Sequence, residues 1–157
     1  MQFLRLEVNI RKTRPSIQAD EIQTGESAAD PMSAVILRRG ASMIAHTTLA
    51  VSGYARSKAF YTKVLSTLGY RQNMEYGESA GFNDGANTDF WITAEKSVVP
   101  THLAFQAANR KQVEAFHKAA ITAGAKDNGG PGYRDYSPGY FAAFVIDPDG
   151  HNIEAVW

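Results

Sequence analysis

Hydrophobic and polar positions alternate along Met43-Ile-Ala-His46-Thr-Thr-Leu-Ala-Val51, and they alternate again along Pro100-Thr-His102-Leu-Ala-Phe105. A period of two over so short a run predicts a strand with one covered face. Downstream of each run the period lengthens. Phe60, Val64 and Leu68 recur at i, i+4 and i+8, and Val113, Phe116 and Ala120 at i, i+3 and i+7, so a helix is expected after each strand. Asn109, with Gln112 three residues on, reads as an N-cap and capping box, while Gly69 and Gly124 are placed to stop the two helices.

The matched segments form an internal repeat. The two histidines stand 56 residues apart, and at that offset Ala59-Phe60 falls on Ala115-Phe116. The ends of the halves match at 63 residues, where Phe82-Asn-Asp-Gly85 pairs with Val145-Ile-Asp-Pro-Asp-Gly150 and Trp91 falls opposite Glu154. The additional seven residues enlarge the loop over 128–139. Each half therefore reads strand, helix, then about three short strands. The expected fold is α+β, two βαβββ modules forming a curved mixed sheet, with module one over 43–98 and module two over 99–157. Residues 1–42 match neither half: 13–30 is polar and aperiodic, with Pro15 and Gly25, and reads as a loose extension. Residues 3–10 alternate like a short edge strand, and a domain start at Met43 with unrelated residues before it is an equal reading.

Sixteen basic and sixteen acidic residues cancel, so no bulk attraction to nucleic acid or to an anionic membrane is expected, and the partner is read as a small molecule. The chain has no cysteine, which excludes disulfides, thiolate metal sites and a cysteine nucleophile. A metal would have to sit on nitrogen and oxygen. No apolar run approaches the roughly 20 residues needed to span a bilayer, no secretory core is present, and the cytoplasm is the expected compartment.

Strand parity then groups the polar residues. His46, Thr48 and Ala50 share one face, as do His102, Ala104 and Gln106, and Asn152 and Glu154 oppose Ile153 and Ala155. Two imidazoles and a carboxylate on polar sheet faces suit a divalent first-row ion (Zn, Fe, Mn, Ni or Co) with open positions for water and substrate. A lone strand histidine is more often structural. Here the placement of His46 and His102 at equivalent repeat positions, with Glu154 in the terminal strand, favours metal ligation. His117 and His151 lack that support and are read as structural. In the enlarged loop Arg134, Tyr136 and Tyr140 are candidate substrate contacts, joined by Trp91 and Gln106 on the ligand-bearing faces.

The segments His46-Thr-Thr-Leu-Ala-Val51, Ser57-Lys-Ala-Phe-Tyr-Thr-Lys-Val-Leu65, His102-Leu-Ala-Phe105 and Phe144-Val-Ile-Asp-Pro-Asp-Gly-His-Asn-Ile-Glu154 together resemble the vicinal oxygen chelate, or glyoxalase-like, superfamily. The resemblance implies paired modules curled around a metal, with first-strand histidines and a last-strand glutamate as ligands. It implies a metal-dependent lyase, isomerase or thiol transferase acting on a small oxygen-rich substrate by chelation and oxyanion stabilisation. Glu154 is then a ligand and the candidate catalytic base, and a thiol co-substrate is one option. Glyoxalase I-like enzymes carry a second carboxylate where this sequence has Trp91, so the three-ligand set is closer to fosfomycin-type thiol transferases and extradiol dioxygenases. A non-catalytic drug binder of the bleomycin-resistance type and a single-domain extradiol dioxygenase are the alternatives. A homodimer is expected, with modules exchanged so that His46 of one chain meets His102 and Glu154 of the other, because the link over 94–100 is short and Pro100 holds Val99 extended.

Overall fold

A computed structural model describes residues 44–157. The extension expected over 1–42, with its alternating stretch, lies outside the described residues. The first module runs β1 (Thr47–Val51), α1 (Tyr54–Leu65), a single 3-10 turn (Ser66–Leu68), β2 (Arg71–Tyr76), β3 (Ser79–Asn83) and β4 (Phe90–Ala94). The second runs β5 (His102–Gln106), α2 (Arg110–Thr122), β6 (Lys126–Asp127), β7 (Gly132–Tyr133), β8 (Phe141–Ile146) and β9 (Asn152–Val156). The strands form two sheets, ordered β1-β4-β3-β2 and β5-β9-β8-β6, with β7 also on β8. In each module the first strand pairs parallel with the last, and the other pairings are antiparallel.

The register confirms the repeat residue by residue. Thr48 lies opposite Trp91 in one sheet and Ala104 opposite Glu154 in the other, so Trp91 and Glu154 hold equivalent places. The second module has four strands after its helix, because the edge strand is broken in two. Asn128 and Gly129 still exchange backbone hydrogen bonds with Phe144, at 3.1 and 2.8 Å. The ladder stops where Gly129 takes a φ of 139° and Pro131 has no N–H to offer.

Helix termination repeats as well. Tyr70 N–H bonds Leu65 O and Gly69 N–H bonds Ser66 O, and the same double closure recurs with Ala125 on Ala120 and Gly124 on Ile121. Gly69 (φ 87°) and Gly124 (φ 97°) occupy the left-handed position this motif requires. The helix starts differ. Asn109 Oδ1 caps α2 by accepting from Gln112 N–H, while the Gln112 side chain accepts from Ala108 N–H, one residue outside the expected box. Helix α1 begins after Gly53 with no side-chain cap and no acid in its first turn.

Both helices lie on the apolar sheet faces, against Leu49, Val51, Ile92, Val145, Ile153 and Ala155, in one core shared by the modules. Phe105 of β5 meets Phe90 of β4 edge to face at 5.1 Å, and Tyr70 at 5.8 Å. A polar clasp reinforces this seam. The Asp147-Pro-Asp-Gly150 turn before β9 reaches across to the first module, where the Asp149 carboxylate accepts from Ser52 N–H (3.1 Å), from Ser57 Oγ (2.9 Å), from Ser52 Oγ and from Arg56 (2.8 Å). Asp149 thus supplies the negative charge that the N-terminus of α1 lacks. Asp147 accepts from the buried Tyr61 hydroxyl at 2.7 Å, and burial first, then the Asp147 charge, pushes that phenol well above its ordinary range. His151, fully buried, accepts at Nδ1 from Thr101 N–H and donates from Nε2 to Ala50 O at 2.8 Å, so its ring also spans the modules. Its structural reading agrees with this placement.

Candidate metal centre

On the open face of the second sheet, β5 and β9 bring His102 and Glu154 together, Nε2 to Oε2 at 3.2 Å. Glu154 is 3 % exposed, although its strand neighbours Ile153 and Ala155 are the ones facing the core. The His102 ring lies stacked beside Phe144, the residue directly opposite Glu154 on β8. Tyr140 closes the other side, its hydroxyl donating to Glu154 Oε1 at 2.6 Å. That hydrogen bond, followed by burial, pushes the phenol up to about 12, so it remains a donor at neutral pH. A hydrogen bond to a charged acceptor contributes about 1.5–3 kcal/mol. Tyr140→Phe is therefore expected to lower stability by about 1.5 kcal/mol in urea unfolding at neutral pH; an unchanged midpoint would mean that the Tyr140 hydroxyl does not stabilise the buried carboxylate.

The tautomer of His102 follows from its partners. Nδ1 faces Asn152 O at 3.1 Å, and a carbonyl only accepts, so Nδ1 carries the hydrogen. In the neutral ring Nε2 is then a bare lone pair pointing at a carboxylate oxygen. Two acceptors at 3.2 Å with no proton between them repel each other, and a cation bound by both, or protonation of the ring, relieves this. An Nδ1–H anchored on a backbone carbonyl is also the arrangement that aims Nε2 at a metal. The pair therefore fits two ligands of a nitrogen and oxygen site.

The third expected ligand stands elsewhere. His46, exposed and one residue before β1, lines a hollow of about 560 Å3 on the open face of the first sheet, with Thr48 and Trp91. Among the described residues of one chain, no three histidine, aspartate or glutamate side chains converge to hold an ion. Trp91 shares the hollow of His46, away from the Glu154 pair. Arg134 does reach the second face, over the Phe144 ring at 5.5 Å, but donates to the carbonyls of Gly130 (2.7 Å) and Tyr133 (3.1 Å). Tyr136 packs edge to face on Tyr140 at 5.3 Å. Gln106 turns to the end of the neighbouring strand β9, donating to Val156 O at 3.1 Å, and lines a separate hollow beside the α2 N-terminus. His117 pairs with Asp127 at 2.9 Å, away from these faces.

Sequence reasoning missed the clasp and the phenol on Glu154. A weak signal existed for the first, since Ser52, Arg56 and Ser57 surround a helix start with neither cap nor acid of its own.

Two βαβββ modules in tandem, each presenting a polar sheet face with a histidine at or just before its first strand, define a glyoxalase-type protein. Residues 43–155 match the family model of the Glyoxalase/Bleomycin resistance protein/Dioxygenase superfamily, and the chain belongs to that superfamily. A glyoxalase/bleomycin resistance protein from Albidiferax ferrireducens T118 is similar at 32 % identity, over 73 % of this chain and 98 % of that one, with a TM-score of 0.66. A glyoxalase-related enzyme from Fulvimarina pelagi shares the fold at 18 % identity, over 72 % and 86 % of the two chains, with a TM-score of 0.58. The fosfomycin resistance protein FosX from Mesorhizobium loti does so at 17 % identity, over 71 % and 87 %, with a TM-score of 0.54. No curated protein matches the chain. Among the described residues no helix is long and apolar enough to cross a membrane.

Proposed function

We propose that this chain is a metal-dependent enzyme acting on a small substrate with adjacent oxygens, of the lyase, isomerase or thiol-transferase kind. The observation that carries the proposal is the His102–Glu154 pair, with the His102 Nδ1–H held on Asn152 O and Nε2 left facing the carboxylate. His46 of a second chain supplies the third ligand in this proposal, since the clasp and the shared core hold the two modules of one chain in an arrangement that does not bring His46 to the pair. A divalent ion bound there supplies Lewis acidity toward an oxyanion developing on the substrate. Tyr140 keeps Glu154 Oε1 occupied and leaves Oε2 for ligation. Glu154 is also the candidate base. Arg134 and Tyr136 are the candidate contacts to an anionic or oxygen-rich substituent in this proposal.

A second reading, a non-catalytic small-molecule binder, draws support from one observation: an aromatic residue, Trp91, stands where the repeat would place a second carboxylate. Metal uptake separates the two. The His102 side chain is 52 % exposed, so His102→Ala is expected to fold normally. It is also expected to lose most of the zinc or cobalt that the wild-type chain retains after loading and gel filtration, measured by elemental analysis. Equal metal content in the two proteins would reject the enzyme proposal.

A further inference from the structure

The repeat pairs unlike residues at one place. In the second module Glu154 faces Phe144 across β9 and β8, whereas in the first module Trp91 faces Gly81 across β4 and β3. Gly81 is there for space: a β-carbon at this position would stand 2.6 Å from Thr88 Cγ2 and 2.9 Å from the Trp91 ring. The indole therefore lies directly on the backbone of β3, in a place no other residue at 81 would leave open. Tyr76, from β2, extends the surface, its ring within 20° of parallel to the indole with centroids 6.2 Å apart. Tyr76 is 63 % exposed, an unusual position for so large an apolar surface on a sheet that has a core side available.

The surroundings narrow what this surface accepts. Thr48, Ser79, Thr88 and Met74 complete the hollow together with His46, and among the described residues no carboxylate lines it. A cation stacked on the rings would have no counter-charge, whereas a flat, neutral or anionic ring would find π faces beneath it and hydroxyls at its edge. We propose that Trp91 and Tyr76, floored by Gly81, form a stacking subsite for a planar aromatic ring of the ligand. The subsite lies in the hollow that His46 also lines, so it deepens the proposed function by naming a substrate class, yet its residues are not metal ligands and the ring contact does not depend on the ion.

The test uses the full chain with 2-naphthoate as the flat probe and decahydro-2-naphthoate as a saturated probe of the same skeleton, followed by proton NMR of the probes. Naphthoate is expected to bind with its ring protons shifted upfield by the indole ring current, in buffer with and without EDTA. Its affinity is expected to fall about tenfold or more in Trp91→Leu, in line with measured aromatic stacking contributions. Gly81→Ala, which forces the indole off β3, is expected to weaken it comparably, with circular dichroism confirming that both variants fold. Decahydro-2-naphthoate is expected to bind at least tenfold more weakly than naphthoate. Equal binding of the two probes, absence of an upfield shift at millimolar naphthoate, or unchanged affinity in folded Trp91→Leu would each overturn the subsite. Naphthoate binding that survives EDTA while the chain takes up no metal would leave the subsite standing and remove the enzyme reading; metal uptake without ring binding would do the reverse.

Discussion

Asp149→Ala is expected to destabilise the domain by about 2 to 3 kcal/mol, equivalent to a fall in melting temperature on the order of 10 °C. The Asp149 side chain is 3 % exposed and gathers donors from Ser52, Arg56 and Ser57. Truncation leaves the buried Ser57 hydroxyl without this acceptor and takes away the Asp149 charge opposing the N-terminus of α1, while Ser52 and the half-exposed Arg56 regain water. The loss should depend on pH. Burial opposes ionisation of Asp149, but the hydrogen bonds from Ser52 and Ser57 and the Arg56 charge outweigh it and hold the carboxyl below its ordinary value. A group whose folded pKa is depressed stabilises the fold above its unfolded pKa of about 3.9, and that contribution disappears as pH falls through the folded value. Urea unfolding should therefore show the full difference between wild type and variant at pH 7 and a smaller one below about pH 4. A difference that is constant down to pH 3 would mean that the carboxylate charge has no part in the clasp.

Much of this architecture was legible because it is local or repeated. The alternation around His46 and His102, the helical spacing of Phe60 and Phe116, and the stop glycines Gly69 and Gly124 each depend on residues within one or two turns, and the structure has the strands, helices and stops there, with β1 beginning one residue after His46. The equivalence of Trp91 and Glu154 was readable because two copies of one pattern can be laid over each other, and the strand register agrees. The clasp was not readable, since the Tyr61 to Asp147 bond joins residues 86 apart in the chain and nothing in a turn sequence says which helix it will touch. Nor was the break between β6 and β7, although Gly129 and Pro131 are its physical cause. The site divides in the same way. Parity placed His102 and Glu154 on one face, but the Tyr140 hydrogen bond and the return of Gln106 to Val156 O depend on how a loop and a strand end settle in space.

Metal binding is expected to reappear when two defective chains are mixed, one carrying His46→Ala and the other Glu154→Ala. The expectation follows from where the ligands stand in a single chain. His102 and Glu154 already touch, while His46 lies exposed just before β1 of the other sheet. The modules cannot easily swing to join them, because Phe90 and Phe105 interlock in the core and Asp147, Asp149 and His151 tie the second module to α1 and β1. A second chain related by a twofold axis can present its His46 to the pair and receive the reciprocal contact, which is the self-complementary geometry that closes a dimer. In such a dimer each site draws His46 from one chain and Glu154 from the other. The hybrid of the two variants then holds one site with every ligand intact and one with both lesions. If the sites were built within single chains, each would keep one lesion and neither would recover. The two chains are to be given different affinity tags, unfolded and refolded together, and purified on both tags in succession. The hybrid should then hold about half the cobalt of the wild-type dimer, against almost none in either homodimer. A doubly tagged hybrid that binds no metal while wild type does would refute the exchange, and so would a monomeric mass for the metal-loaded wild-type chain in light scattering.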